Sequence, residues 1–249
     1  MDTLDEEPPG AAANWGILSW PELWQVIDTI PGWLTEEQAL ALRAAVRHLP
    51  PRPVVLEIGA HRGRSTLVLA TARADVQVVT IDPFIRTRLL PGPKVEHELR
   101  ANLARLGVAD RVHVLATTSR RARDLWTDPI DLLWIDGRHD ILSLGYDLYW
   151  TRHLTPGAPI LIHDAFSSLG VTAGLILNQL RPSARLHYRR RTGSLADFAH
   201  EPATWRSRSR FALNLGWWLR NLVVKGLLRL RLRGLARSLF GHTISADPF

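Results

Sequence analysis

Cysteine is absent from all 249 residues. Disulfides, thiolate metal sites and nucleophilic thiol chemistry are excluded with it, and a reducing compartment is compatible. Lysine is nearly absent too: Lys94 and Lys225 are the only two, and every other base is arginine, as the codon usage of a GC-rich genome favours. The N-terminus, MDTLDEEPPG, has neither a basic n-region nor an apolar h-region, so it does not read as a secretory signal. Acids are scarce at the other end. Residues 181–249 hold fourteen bases against three acids, whereas residues 1–50 hold eight acids and two bases. The formal net charge of +7 is therefore a property of the C-terminal part, and a basic segment of this kind seeks phosphates, on lipid headgroups or nucleic acid.

A hydrophobic content of 46% over this length supports one sizeable core in one or two domains. Residues 1–14, charged and with Pro-Pro-Gly and an alanine run, read as disordered. Residues 15–50 read as an N-terminal helical cap. Ser19 is placed as an N-cap with Pro21 just behind it, and Thr35 is followed by acids in the first turn of a second helix. From residue 53 short β-branched runs alternate with helical stretches. The runs are 54–60, 76–82, 112–117, 130–136 and 158–165; the helices are 65–74, 95–106, 119–126, 141–153 and 168–180. Several runs are continuously apolar, as strands buried on both faces are. The pattern predicts an α/β fold with a doubly wound, mostly parallel sheet. ARLHYRRR and SLADFA flank Thr192-Gly193, a hairpin signal that adds an antiparallel pair and brings the count to seven strands.

Ligands in open α/β sheets sit at the carboxyl ends of the strands, near the point where strand order reverses. The first strand ends LEIGAHRGRST, where Gly59 and Gly63 flank a tight turn into a helix starting near Ser65. A free helix N-terminus favours a carboxylate or phosphate. The turn lacks the G-x-G-x-x-G of a dinucleotide site, and Glu57 would repel a pyrophosphate but suit an ammonium group. A ligand with both an ammonium and a carboxylate fits better, as the methionine part of S-adenosylmethionine does. Asp82, ending the second strand, is placed to accept ribose hydroxyls, and the small polar residues of ATTSRR to meet an adenine edge.

LEIGAHRGRSTLVLA, VVTIDPF, IDLLWIDGRHD, LTPGAPILIHDAF and YRRRTGSLADF stand in order over residues 53–199. In these stretches the sequence resembles the class I S-adenosylmethionine-dependent methyltransferases, of the bacterial metal-dependent O-methyltransferase group that includes macrolide-sugar O-methyltransferases. The resemblance implies a Rossmann-like fold, with Glu57, Gly59, Gly63 and Ser65 around the methionyl moiety, Asp82 at the ribose and Ser119 near the adenine. It also implies Asp136 as a metal ligand, His139 as the general base, and the fifth-strand pair as completing the metal site.

The residues support a similar chemistry. Asp136 and Asp164 end adjacent strands, where two carboxylates repel unless a cation lies between them, and Mg²⁺ or Mn²⁺ would lower the pKa of a bound hydroxyl. His139, with an ordinary pKa of about 6.5, suits general-base work. The fifth-strand pair here reads His163-Asp164, which departs from the acidic pair; imidazole is a poor Mg²⁺ ligand, so His163 is either no ligand or evidence of a softer metal. The bland alternatives are that Asp136 and Asp164 cap the following helices or pair with Arg138, and that His139 is an exposed turn residue. Asp140 is read as the N-cap of the next helix. Arg62, Arg138 and the N-terminal tryptophans are candidates for an acceptor pocket, against simple packing of the tryptophans on the core.

The segment FALNLGWWLRNLVVKGLLRLRLRGLARSLFGH is helical in character, but its six cations argue against a membrane crossing. Val224, Leu228, Leu232, Leu235 and Leu239 share one face; Phe211, Leu215, Trp218 and Leu222 form another row, with a bend expected at Gly226. Residues 201–249 thus read as a basic amphipathic tail. Membrane-surface contact through 211–240 competes evenly with a core-docking or dimerisation helix, and nucleic-acid binding ranks third. The combined expectation is a cytoplasmic enzyme, peripheral on the inner face of the plasma membrane if the tail seeks lipid. It would methylate a hydroxyl of a sugar, glycolipid or secondary metabolite. The rivals are a non-catalytic Rossmann-like membrane-docking protein and a metal-independent N-methyltransferase.

Overall fold

Strand residues alternate between two faces, and here both faces are covered by helices, which is why the runs are apolar throughout. The computed structural model describes residues 15–85 and 92–240; the segment expected to be disordered, 1–14, lies outside the described residues. Five parallel strands, β1 (Val54–Ile58), β2 (Gln77–Ile81), β3 (Val112–Leu115), β4 (Leu132–Ile135) and β5 (Pro159–Ile162), are joined by a hairpin, β6 (Leu186–Thr192) and β7 (Leu195–His200). The order is β3-β2-β1-β4-β5-β7-β6, with β7 antiparallel to both neighbours. Gly193, at φ +57°, makes the hairpin turn expected at Thr192-Gly193.

On one face Val55, Val78, Leu132, Trp134 and Leu161 pack under α1 (Trp20–Asp28), α2 (Glu36–Arg47), α3 (Arg64–Ala70) and α4 (Gly92–Arg105). On the other, Leu56, Ile58, Leu133, Ile135, Ile160 and Ile162 pack under α6 (Ile141–Asp147), α7 (Leu169–Gln179) and α8 (Trp205–Arg229). The short helix α5 (Ser119–Arg123) follows β3, and α9 (Arg233–Phe240) ends the described chain. Ser19 and Thr35 cap α1 and α2 through capping boxes with Glu22 and Gln38, so the N-terminal helices start where side chains satisfy their first amides.

Strand order reverses between β1 and β4, which are neighbours although two βα units separate them in sequence. The carboxyl edge at this point holds Gly59 and Asp136. The bend expected at Gly226 is not there. α8 runs unbroken through Gly226 to Arg229, and the chain breaks instead at Leu230–Leu232, where Arg231 takes φ +62°.

The first half of α8 belongs to the core. Phe211 meets Phe166, Tyr188 and Phe198 with ring centroids 5.6–6.1 Å apart, and the Tyr188 amide donates to Ser207 Oγ at 2.7 Å. Phe211→Ala should therefore lower the unfolding free energy by about 3–5 kcal/mol, while Leu213→Ala, at a position 81% exposed, should change it by less than about 0.5 kcal/mol. Chemical denaturation of the two variants measures the difference.

Candidate active site

The turn after β1 is fixed by contacts that only glycine permits. Gly59 sits at φ +96°, and a Cβ there would lie 2.1 Å from the Asp136 carbonyl oxygen. Gly63, at φ +89°, is the N-cap of α3, and a Cβ would meet Leu99 Cδ1 at 2.5 Å. Asp82 holds the turn from β2: Oδ2 accepts from the His61 amide at 2.9 Å and Oδ1 from the Phe84 amide at 2.8 Å. Asp82 remains partly exposed, so its carboxylate keeps room for a ligand.

Glu57 and Ser65 take other places than those expected. Strand alternation turns Glu57 toward the α2–α3 layer, where it is fully buried and accepts from Ser65 Oγ at 2.5 Å and Thr66 Oγ1 at 2.6 Å. Burial pushes its pKa up to about 7, against those hydrogen bonds. It anchors the start of α3 from below, and Ser65 and Thr66 occupy its carboxylate oxygens where contact with a methionyl group was expected. Ser119 likewise donates its hydroxyl to Asp147 Oδ1 of α6. Asp147 is buried, which raises its pKa to about 6 despite that bond. Its Oδ2 stands 3.0 Å from where a Cβ on Gly137 would be, so the Ser119–Asp147 pair closes the floor beside β4.

The acids and imidazoles come together at the tips of β4 and β5. Ile135 pairs with Ile162, so the next residues, Asp136 and His163, stand side by side on the α2 face. His163 is 2% exposed and its ring meets Trp134 edge-on at 5.8 Å. Its Nδ1 lies 3.1 Å from Asp136 Oδ1, as an ion pair out of line for a hydrogen bond, and 3.8 Å from Asp164 Oδ1. Its Nε2 faces Gln38 Oε1 at 3.3 Å. The Thr35 amide donates to the same Oε1, and Gln38 Nε2 donates to Ser194 Oγ, which fixes the amide orientation. Both ring nitrogens therefore face acceptors, the surroundings of an imidazolium. Burial works against that charge, but Asp136 and then Asp164 outweigh it and raise the pKa to about 9. Burial also opposes the charge on Asp136, yet His163 and His139 hold its pKa at about 2.

His139 reaches over the same two acids from the β4–α6 turn. Nδ1 lies 3.2 Å from Asp164 Oδ2 and Nε2 3.6 Å from Asp136 Oδ1, with 45% of the side chain exposed. The contact with Asp136 raises its pKa, against burial. Asp164 adopts φ +52°, a turn conformation aspartate tolerates, and accepts from Ser167 Oγ at 2.5 Å. Neither acid is a helix cap: Asp140 caps α6, as expected, and Ser168 caps α7. Arg138 pairs with Asp140, and Arg62 with Glu98. Trp20 and Trp24 stack on each other against the core, whereas Trp33 is exposed beside His61 at the cleft.

The donors do not fit a divalent cation. His163 turns one nitrogen to Asp136 and the other to Gln38, and the positive charge between the acids is supplied by imidazole. Among the described residues no three or more His, Asp or Glu side chains are disposed to hold a metal ion. In this structure the expected ligand set of Asp136, Asp164 and His163 forms, with His139, an acid–imidazole network. Sequence reasoning missed Gln38, Ser194, Thr66 and Asp147. Only Gln38 carried a signal, as the third helical residue after Thr35.

The described geometry can be set beside known proteins. Residues 56–165 match the family described as Methyltransferase domain. No curated protein is similar enough in sequence to match. Among solved structures, cofactor-bound Rv0187 from MTB superposes with a TM-score of 0.57 at 23% identity, covering 72% of this chain and 87% of that one. The O-methyltransferase from Bacillus cereus in complex with SAH gives 0.55 at 20% identity, covering 74% and 92%. The O-methyltransferase TomG from Streptomyces achromogenes, involved in tomaymycin synthesis and in complex with SAM, gives 0.51 at 21%, covering 73% and 89%. Its α/β sheet has the Rossmann-like fold that these solved O-methyltransferases share.

The network makes stability depend on pH. The flanking acids lift the pKa of folded His163 to about 9, above the ordinary 6.5 of the unfolded chain. Between those values the folded state binds more protons than the unfolded one, so stability falls as pH rises through that window. The unfolding-temperature gap between the parent and His163→Gln should be widest below pH 6.5 and shrink toward pH 9, as calorimetric scans across that range would show. Gly59→Ala, with a Cβ driven into the Asp136 carbonyl, should lower stability by more than about 2 kcal/mol in chemical denaturation.

Proposed function

We propose that the protein is an S-adenosylmethionine-dependent O-methyltransferase in which His139 is the general base. The observation that carries this reading is the position of His139: a half-exposed imidazole over two strand-tip acids, with Asp136 lying against the Gly59 turn. The methyl donor occupies the cleft formed by the Gly59–Gly63 turn and the N-terminus of α3, where free amides and a partial positive charge suit its carboxylate. Asp82, which already braces the turn, offers its remaining lone pairs to the ribose hydroxyls. Glu57, Ser65 and Ser119 position these elements without touching the ligand.

In the transfer step a lone pair on the acceptor oxygen attacks the sulfonium methyl carbon from the side opposite sulfur. The C–S bond breaks, its electron pair stays on sulfur as a neutral thioether, and the hydroxyl proton passes to His139. Nδ1, the nitrogen nearer a carboxylate, donates to Asp164 and fixes the ring. Nε2, at 3.6 Å from Asp136, has the looser contact and takes the proton. The two carboxylates then stabilise the imidazolium formed. His163 keeps Asp136 ionised and oriented. Because the donors do not fit a divalent cation, no step passes through one; the chain's main contribution is to align the reactants and hold fixed charges around them. The acceptor class in this reading is a hydroxyl on a sugar, glycolipid or secondary metabolite.

Calorimetric titration with S-adenosylmethionine is the first test: binding in the micromolar range is expected, and no heat at millimolar ligand would contradict the reading. Once an acceptor is found with a labelled-methyl screen, His139→Ala should reduce kcat by about 10²–10⁴ while leaving cofactor affinity within about threefold. The acidic limb of the kcat/KM profile should fall above 6.5, because the carboxylates raise the pKa of His139 and its neutral form is the base. Turnover should survive a chelator; loss that Mg²⁺ or Mn²⁺ restores would contradict the metal-free network.

A further inference from the structure

The edge of the sheet that carries the acid–imidazole cluster has an apolar rim. Trp33 lies against His61, Ile85 follows Asp82, Leu142 follows His139 and Leu169 follows Asp164, and all four are exposed. The same edge receives α8. On its inner face Asn221 Nδ2 donates to the Phe166 carbonyl at 3.1 Å and Lys225 Nζ to the Ser167 carbonyl at 2.7 Å, and Ser167 in turn holds Asp164. The helix is thus fastened to the loop that shapes the site.

Its outer face is apolar a second time. Leu219, Val223 and Leu230 are exposed, and at 100° per residue they fall within one narrow stripe opposite the buried Asn221, with Arg220 and Arg229 on either side of it. Beyond the break, Leu232, Leu235 and Leu239 continue an exposed apolar row along α9, next to exposed Arg237. From Pro202 to Ala246 the sequence holds nine bases and no acid. Among the described residues no helix is long and apolar enough to cross a membrane. A surface that alternates leucine with arginine and lacks acids matches an anionic lipid interface, where acyl chains take the leucines and headgroup phosphates the bases. A polynucleotide would satisfy only the bases, and a second copy would oppose like charge to like.

We propose that the outer face of α8 and α9, with the apolar rim, docks the protein on an anionic bilayer and turns the mouth of the active site toward it, so that the acceptor hydroxyl belongs to a membrane lipid. The acceptor clause rests on the methyl-transfer reading; the docking does not.

Co-sedimentation of the full chain with phosphatidylglycerol-containing vesicles tests the docking, with phosphatidylcholine vesicles as reference. Binding to the anionic vesicles is expected, weakened at about 0.5 M NaCl. Arg229→Glu with Arg237→Glu should weaken partitioning about 30-fold or more, and Leu235→Glu with Leu239→Glu should abolish it. Unchanged circular dichroism and unfolding temperature certify that both variants fold. Because the chain has no cysteine, a single introduced one reports orientation. An environment-sensitive dye on Leu169→Cys should shift to the blue on vesicles, and the same dye on Leu180→Cys, at the far end of α7, should not. Absent sedimentation, variants that bind as the parent does, or a shift confined to position 180 would overturn the proposal. So would a dimer that the leucine variant splits while vesicle binding stands. If the parent binds vesicles but not S-adenosylmethionine, the methyl-transfer reading fails and the docking stands.

Discussion

Two carboxylates at the tips of neighbouring parallel strands cannot both stay ionised in a partly buried cleft without positive charge between them. In this protein the charge is imidazole. His163 supplies it from beneath, with Nδ1 3.1 Å from Asp136 Oδ1 and Nε2 facing Gln38 Oε1. His139 supplies it from above, reversibly, because nearly half of its side chain is open to the cleft. The rest of the site depends on this division. The Asp136 carbonyl packs on Gly59, and the turn after β1 is thereby tied to the strand-tip acids that His139 contacts.

Support for that network comes from outside the sheet. Gln38 belongs to α2, where it also completes the capping box of Thr35, and its amide nitrogen bonds Ser194 at the β6–β7 turn. One side chain therefore links the N-terminal helices, the terminal hairpin and the site. On the other side, α8 bonds the Phe166 and Ser167 carbonyls behind Asp164. The segments flanking residues 56–165 thus brace the strand-tip cluster.

Much of the fold was legible because strands covered on both faces leave unbroken apolar runs and helices begin at visible caps. The five parallel strands fall inside their expected ranges, and Gly193 turns the hairpin where Thr192-Gly193 signalled it. Asp136, His139, His163 and Asp164 were recognisable as one site, since strand ends in this topology converge. The partner of each was not. The bonds of Glu57 to Ser65 and Thr66, and of Ser119 to Asp147, 28 residues on, left no mark in the sequence. Such pairings are set by how helices lie on the sheet, which local spacing does not encode. The break in the C-terminal helix was missed for a related reason: Gly226 is a weak helix former, but docking against the core carries the helix past it, and the chain turns only once that support ends at Arg229.

The central claim is that an imidazolium, not a metal ion, balances the strand-tip acids. Nitrogen-15 NMR of the imidazole rings at pH 7.5, with S-adenosylmethionine bound, tests it most directly. The account predicts that both nitrogens of His163 carry protons and that adding Mn²⁺ leaves their signals sharp. A neutral His163 ring, or broadening of its signals by stoichiometric Mn²⁺, would contradict it.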